Sequence, residues 1–327
     1  MLELSSSVGP VVNHSQNWFQ LLPQNIVNGL EQGSVYALVA LGYTLVYGVL
    51  QLINFAHSEV FMFGGFGGWL AVNGLIGTRH ISGAMVPITI VVGALVGALA
   101  GAVIAWTLEK VAYKTLRKRG APKLAFLISA IGASLFLSNL AGKLFNHVSA
   151  NASPLYFYVN KTFFTIGNAH ITMLTFLIII VALAMMVFLD RLVNHTKLGR
   201  SIRAVSEDAP TAALMGIDID KTISRTFIIG GALAGIAGFM YGTAFGVGYL
   251  MGFQPGVKAF AAAVLGGIGN IRGAMLGGLL LGLAETIIPA LPFIGAQWTD
   301  VVSFVVLVLV LMFRPTGILG ERLGRAA

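Results

Sequence analysis

Three glutamates, Glu31, Glu59 and Glu285, stand within or beside long apolar runs. Carboxylates in that setting hold a cation, relay a proton or receive an ammonium group. An ionised acid facing lipid is costly, about 2.5–3.5 kcal/mol at a helix centre for aspartate on insertion scales, so all three are expected to face protein, water or a partner. Glu285 is expected to be the most deeply placed. The densest polar group is Asn54-Phe55-Ala56-His57-Ser58-Glu59, with four hydrogen-bonding side chains between two apolar runs. It reads either as a tight loop between helices, with Ser58 capping the second, or as an unwound segment on a transport pathway, where backbone and side chains meet a zwitterionic solute. His57 has no second histidine or carboxylate pair at ligand spacing, so it does not read as a metal site. The chain has no cysteine, which removes thiolate catalysis and Cys-ligated metals. No nucleophile–base pair or metalloprotease motif is present, so the residues point to transport and not to an enzyme.

The elements that must position these groups follow from composition. With 57% hydrophobic and 10% charged residues over 327 positions, the chain lacks the polar surface of a soluble globule. Eight spans are expected at 26–53, 60–76, 87–108, 124–145, 171–189, 227–249, 274–291 and 301–313, with a shorter ninth segment at 259–268. The expected fold is an all-α transmembrane bundle with at least one short or broken segment. Residues 1–25 are expected to form a polar lead-in, 26–320 a single transmembrane domain and 321–327 a cytoplasmic tail.

The formal charge of +8 is explained by topology and not by nucleic acid. Lys110, Lys114, Arg117, Lys118, Arg119 and Lys123 lie between the third and fourth spans. Arg191, Lys197, Arg200, Arg203, Lys221 and Arg225 flank the polar segment 190–225, and Arg314, Arg322 and Arg325 follow the last span. The positive-inside rule makes all three regions cytoplasmic. The segment 146–170 carries only Lys161 and is expected outside, as is the N-terminus. Parity then requires 259–268 to cross, or to pair with another broken segment.

The segment 199–221 reads as a helical hairpin. Ser206 or Asp208 can cap a helix, Pro210 suits its first turn, Ala212, Ala213, Leu214 and Met215 favour helix, and Gly216 stops it. Asp218 or Asp220 can cap the helix that re-enters the membrane. Such an element serves either as a connector or as a docking helix for a soluble partner. Glycines recur at four-residue spacing (Gly93, Gly97, Gly101; Gly231, Gly235; Gly238, Gly242, Gly246; Gly273, Gly277; Gly278, Gly282), which predicts close helix packing. The run Gly266, Gly267, Gly269, Gly273 lacks the strand and the Lys-Ser/Thr of a phosphate loop and is expected to be a broken helix or a tight cytoplasmic turn.

Several ordered motifs then carry a resemblance: Gly33-Ser34-Val35-Tyr36-Ala37-Leu38, Gly42-Tyr43-Thr44-Leu45-Val46-Tyr47-Gly48, the segment 54–59, Glu109-Lys110-Val111-Ala112-Tyr113, 204–217, 258–269, Asp300-Val301-Val302-Ser303-Phe304 and 314–320. Together, over about residues 26–320, they resemble the LivH-type permeases of bacterial branched-chain amino acid ABC importers. Ser58 departs from the glycine usual there. The resemblance implies a multi-pass inner-membrane subunit working beside a second homologous permease, two cytoplasmic ATPases and a periplasmic solute-binding protein. ATP and Mg would sit on the ATPases, with no cofactor in this chain. It implies ATPase coupling through Glu207, Asp208, Pro210, Ala212, Ala213, Leu214 and Gly216. Tyr43, Tyr47, Asn54, His57, Glu59 and Glu285 are the candidate pathway residues. Leucine, isoleucine and valine are the implied solutes, with urea, amides or other amino acids as the alternative. An ion-coupled secondary transporter would need Glu31, Glu59, Glu285 and Asp300 to pair in space, since they are scattered in sequence.

Overall fold

From Gly33 to Val46 the first helix, α1 (Trp18–Leu50), is apolar on nearly every side, and such a stretch is stable only when wrapped by other helices. Val35 and the run Ala37, Leu38, Val39, Ala40 and Leu41 have no exposed surface. In the computed structural model, which describes residues 18–76, 85–145, 149–150, 155, 159, 161–291 and 294–320, every other long element is arranged about this helix or about its neighbours. The expected tail at 321–327 and most of the expected lead-in lie outside the described residues. Residues 18–25 of that lead-in are helical, with Pro23 inside the helix.

The chain continues through α2 (His57–Ile76) and α3 (Met85–Leu108). A π-helical turn, Glu109–Tyr113, and a further α turn, Lys114–Lys118, prolong α3 without a break. Lys110, Lys114, Arg117 and Lys118 are therefore on a helix and not in the loop expected for them; Gly120, at φ +62°, marks where the chain turns. Then come α4 (Lys123–Leu144), α5 (Met173–His195), α6 (Lys197–Glu207), α7 (Ala209–Leu214), α8 (Ile219–Phe245), α9 (Phe253–Gly266), α10 (Ile271–Ile287) and α11 (Thr299–Phe313). The all-α expectation holds apart from two small antiparallel pairs. Strand β1 (Ser149–Ala150) pairs with β4 (Val247–Gly248), and β2 (Thr162–Ile166) with β3 (Ala169–Thr172).

All nine expected apolar segments fall on helices. Among the described residues six helical stretches are long and apolar enough to cross a membrane: α1, Met85–Lys118, α4, α5, α8 and Ala296–Phe313, which contains α11. The other three are α2, with 20 residues and a polar start, α10 with 17 residues and α9 with 14. At 1.5 Å per residue α9 is about 21 Å long, shorter than the roughly 30 Å hydrocarbon core.

Contacts fix which ends lie together. Gln51 donates to the Ser206 carbonyl at 3.0 Å, Arg272 pairs with Asp190 at 3.3 Å, and Asn270 donates to the Leu319 carbonyl at 2.9 Å, all at the basic end. At the other end the His170 amide donates to Gln24 at 2.7 Å, and Ser149 pairs with Gly248. Alternating directions through α1, α2, α3, α4, α5, α8, α9, α10 and α11 satisfy these contacts with the basic segments on one side. The short segment α9 thus runs between the two ends, the direction that the expected parity requires of it. Gly267 and Gly269, both at positive φ, form the turn between α9 and α10, against which Gly317 and Gly320 pack.

The glycine rows are spent inside the chain. Gly97 and Gly101 of α3 meet Gly231 and Gly235 of α8, and Gly278 and Gly282 of α10 meet Gly29, Gly33 and Ala37 of α1. Gly273 and Gly277 receive Ala262 and Gly266 of α9, and Gly238 and Gly242 receive Phe61 and Val247. A Cβ on Gly97 would stand 2.9 Å from the Gly64 carbonyl and 3.0 Å from that of Gly235, with backbone on both sides and nothing able to yield. Gly132 of α4 has nothing within 4 Å of the same position. Overpacking costs about 1–3 kcal/mol, so Gly97→Leu is expected to lower the melting temperature of detergent-purified protein by about 5 °C or more. Gly132→Leu should leave it within about 1 °C; equal effects would remove the close α2–α3–α8 contact from the account.

Candidate functional site

The six candidate pathway residues separate into three places. Tyr43, Tyr47 and Asn54 line a narrow cleft between α1, the segment after it and α9, closed by Leu52, Phe260, Ala263 and Ile268. Asn54 is buried and accepts from the Tyr113 hydroxyl at 2.8 Å, which ties the α1–α2 turn to the π turn of α3. The cleft holds about 10 Å³, room for about one water molecule. No amino acid passes it in this conformation.

His57 opens α2 and points to α1. Its ring meets Tyr43 edge-on with centroids 4.7 Å apart and packs against Gly42, whose lack of a side chain makes the space. Two residues on, Glu59 faces the other way, toward α4, where Ser134 donates to its Oε1 at 3.0 Å. Ser58 does not cap α2. It lies in the first turn and donates back to the Phe55 carbonyl at 2.8 Å.

Glu285 lies near the end of α10, within the site's largest polar network. Lys258 of α9 reaches Glu285 at 3.0 Å and Asp300 of α11 at 2.8 Å. Tyr36 of α1 donates to Glu285 at 2.8 Å and Gln32 at 3.3 Å, and the Ser303 hydroxyl also bonds to it. The side chain of Glu285 is fully buried and that of Lys258 is 10% exposed, whereas that of Asp300 is 55% exposed. Sequence reasoning left out Lys258, although a lone lysine in the alanine-rich helix α9 is itself a mark of a buried partner. Glu285 and Asp300 do pair in space, and a lysine already occupies the position between them that a transported cation would take. Glu31 is separate from both groups and accepts from the Thr175 hydroxyl at 2.6 Å. Among the described residues no cluster of three metal-ligating side chains occurs.

A second ion cluster joins α3 to α8 at the basic end. Arg117 bridges the fully buried Glu109 at 3.2 Å and Asp220 at 2.6 Å, Lys114 adds a contact to Asp220 at 3.1 Å, and Ser224 donates to Glu109 at 2.6 Å. Asp220 is therefore a pairing residue, and Asp218 is the one that caps α8, accepting from the Lys221 amide at 2.9 Å. That amide and the Lys221 ammonium hold the Asp218 carboxyl below the usual carboxylate range.

From this end the hairpin α6–α7 projects. Asp208 caps α7 through the Thr211 amide at 3.4 Å and the Thr211 hydroxyl, Pro210 lies in the first turn, and Gly216 at φ +82° ends the helix. Ser206 instead donates to the Arg203 carbonyl. Ala212 is buried against the hairpin's own core, while Glu207, Asp208, Pro210, Ala213 and Gly216 are exposed. Leu214 and Met215 are 88% and 79% exposed and form an apolar tip.

Glycine-packed apolar helices with a few internal ion pairs and a capped hairpin at the basic end define a multi-pass membrane protein. The chain belongs to the family of branched-chain amino acid transport system permease components, whose profile matches residues 25–311. It is 42% identical over 301 residues to the high-affinity branched-chain amino acid transport system permease protein BraD of Pseudomonas aeruginosa, covering 91% of this chain and 95% of that one. It is likewise 42% identical over 304 residues to the LivH permease protein of Escherichia coli K12, with the same coverages. Among solved structures it resembles PsaBC from Streptococcus pneumoniae in complex with Fab over 88% of this chain and 91% of that one, at 13% identity and a TM-score of 0.43, too low to bear on the argument.

The network makes a prediction about its own parts. Lys258→Met leaves the buried Glu285 without its counter-charge and is expected to cost about 3–5 kcal/mol. Adding Glu285→Gln should recover most of that loss, because the uncompensated charge goes with it. Asp300→Asn, at a half-exposed site, should cost about 1 kcal/mol or less. Thermal unfolding of the purified variants reads all three, and a double variant no more stable than Lys258→Met would show that the pair is not coupled.

Proposed function

We propose that this chain is a membrane-spanning permease subunit of an ATP-driven importer that moves branched-chain amino acids across the bacterial inner membrane by alternating access. The solutes are leucine, isoleucine and valine, the class that the names of its curated relatives carry. An ABC permease works with an ATPase and a solute-binding protein. The finer assembly proposed is two ATPases with their ATP and Mg on the cytoplasmic side, a second homologous permease beside this one and the binding protein outside. The observation that carries the reading is the hairpin tip, because a capped helix that presents Leu214 and Met215 to water has the form of a part awaiting a soluble partner.

ATP-driven closure of the ATPases moves the docked tip, and with it α6 and α8, against the remainder of the bundle. The close-packed α3–α8 contact carries that movement to the cleft beside Tyr43, Tyr47 and Asn54. A solute-sized opening there requires α9 to separate from the α1–α2 turn. Purification of the tagged chain in mild detergent, with mass spectrometry of what accompanies it, tests the assembly: ATPase subunits and a second permease support it, and a lone chain active in liposomes without ATP overturns it.

Leu214→Glu puts a charge on the exposed tip without touching the hairpin core and is the cleaner probe; Ala212→Glu would break the hairpin itself. Leu214→Glu is expected to leave the amount of chain in the membrane unchanged and to lower leucine uptake by about tenfold or more. Uptake at the wild-type rate would remove α7 as the coupling helix.

A further inference from the structure

Along the outward face of α5 runs an open groove of about 830 Å³. Ile180, Leu183, Val187 and Phe188 line it, at the three- and four-residue spacing that sets side chains in one stripe, and it ends on Arg191 and His195 in the next two turns. All six are exposed. Neither the Arg191 nor the His195 side chain has an ion pair or a hydrogen bond among the described residues. The adjoining acid, Asp190, is engaged elsewhere: Arg272 holds it at 3.3 Å, and Asn194 donates to it at 3.1 Å.

The length of the groove fits one leaflet. From Ile180 to Arg191 the helix rises about 16 Å, and half of a roughly 30 Å hydrocarbon core is about 15 Å. With Arg191 at the boundary of the basic end, the apolar stripe reaches from the middle of the bilayer to the level of the phosphates. Contact with acyl chains accounts for the stripe, but not for a cation and a ring N–H at its foot without protein partners. A guanidinium pairs with a phosphate through two parallel N–H bonds, and basic side chains at this level favour anionic lipid. A second permease is the other occupant open to such a face. By the positive-inside rule it would bring a basic end of its own to the same level, where like charges would meet.

We infer that this groove binds an anionic phospholipid of the leaflet at the basic end, with an acyl chain along Ile180 to Phe188 and the phosphate on the Arg191 guanidinium and the His195 ring N–H. The inference is independent of the solute and of ATPase docking. Thr196, which also lines the groove, caps α6 by accepting from the Gly199 amide at 3.0 Å. The headgroup therefore lies at the joint from which the α6–α7 hairpin projects. A zwitterionic lipid, whose own ammonium competes for its phosphate, is held there less tightly.

The test incubates the full chain, purified in mild detergent, with equal amounts of phosphatidylglycerol and phosphatidylcholine of the same acyl chains, and counts the lipids that stay bound by native mass spectrometry. The wild-type chain is expected to retain phosphatidylglycerol over phosphatidylcholine by about fivefold or more. Arg191→Gln should cut that preference by about threefold or more, and Arg191→Gln with His195→Ala should abolish it. Arg191→Lys keeps the charge and should keep most of the preference. Lys123→Gln removes the same charge at the same end but at the start of α4, outside the groove, and should leave the preference unchanged. Val187→Trp fills the groove with both basic residues in place and should lower phosphatidylglycerol retention by about threefold or more. An equal loss in Lys123→Gln would reduce the effect to overall charge, and an undiminished preference in the double variant or in Val187→Trp would place the lipid elsewhere; each overturns the site. Loss of a co-purifying second permease from Val187→Trp, with lipid retention unchanged, would assign the face to that subunit and overturn it also.

Discussion

Lipid gives helices no hydrophobic reason to associate, and this chain meets that constraint by bringing backbones into contact through glycine. The α1–α10 and α3–α8 seams are built this way, with Gly33 against Gly278 and Gly97 against Gly235. Everything else in the bundle depends on these two contacts. Because α1 is enclosed from Gly33 to Val46, its Tyr36 and Tyr43 side chains can address only other protein groups. Because α3 and α8 touch along their backbones, Lys114 and Arg117 at the basic end of one rod reach Asp220 on the other.

The charged groups sort by what balances them. Glu109 and Glu285 have cationic partners inside the chain; the first joins α3 to α8, and the second joins α10 to α1, α9 and α11. These are fasteners, and their value lies in specifying which helices adjoin, since burying an ion pair is seldom a net gain in stability. Glu31 is held by a hydroxyl near the outer end. Glu59 is held by hydroxyls and faces the positive end of α9.

Much of this was legible from residue order. Hydropathy located the six helical stretches that are long and apolar enough to cross among the described residues, and the basic clusters all fall at one end of the bundle. The cap and stop residues Asp208, Pro210 and Gly216 marked α7 to within a residue. Other features were not legible, for physical reasons. Lys258, Glu285 and Asp300 come from three helices, so their meeting is a property of tertiary packing that no spacing encodes. The choice between Asp218 and Asp220 as the cap of α8 turned on Arg117, which is distant in sequence. Ala212 and Leu214 look alike as helix formers, yet one is buried and the other exposed, because the hairpin folds against α6 and α8 in a way that only the assembled bundle determines.

The π turn at Glu109–Tyr113 sets the angular phase of α3. Above it, the glycine row must face α8; below it, Tyr113 must reach Asn54 while Lys114 and Arg117 reach Asp220. A uniform α-helix advances about 100° per residue and would carry those lower side chains out of register with one or the other neighbour. The extra residue in the turn works as a vernier: it lets one continuous rod engage two surfaces whose spacings do not match.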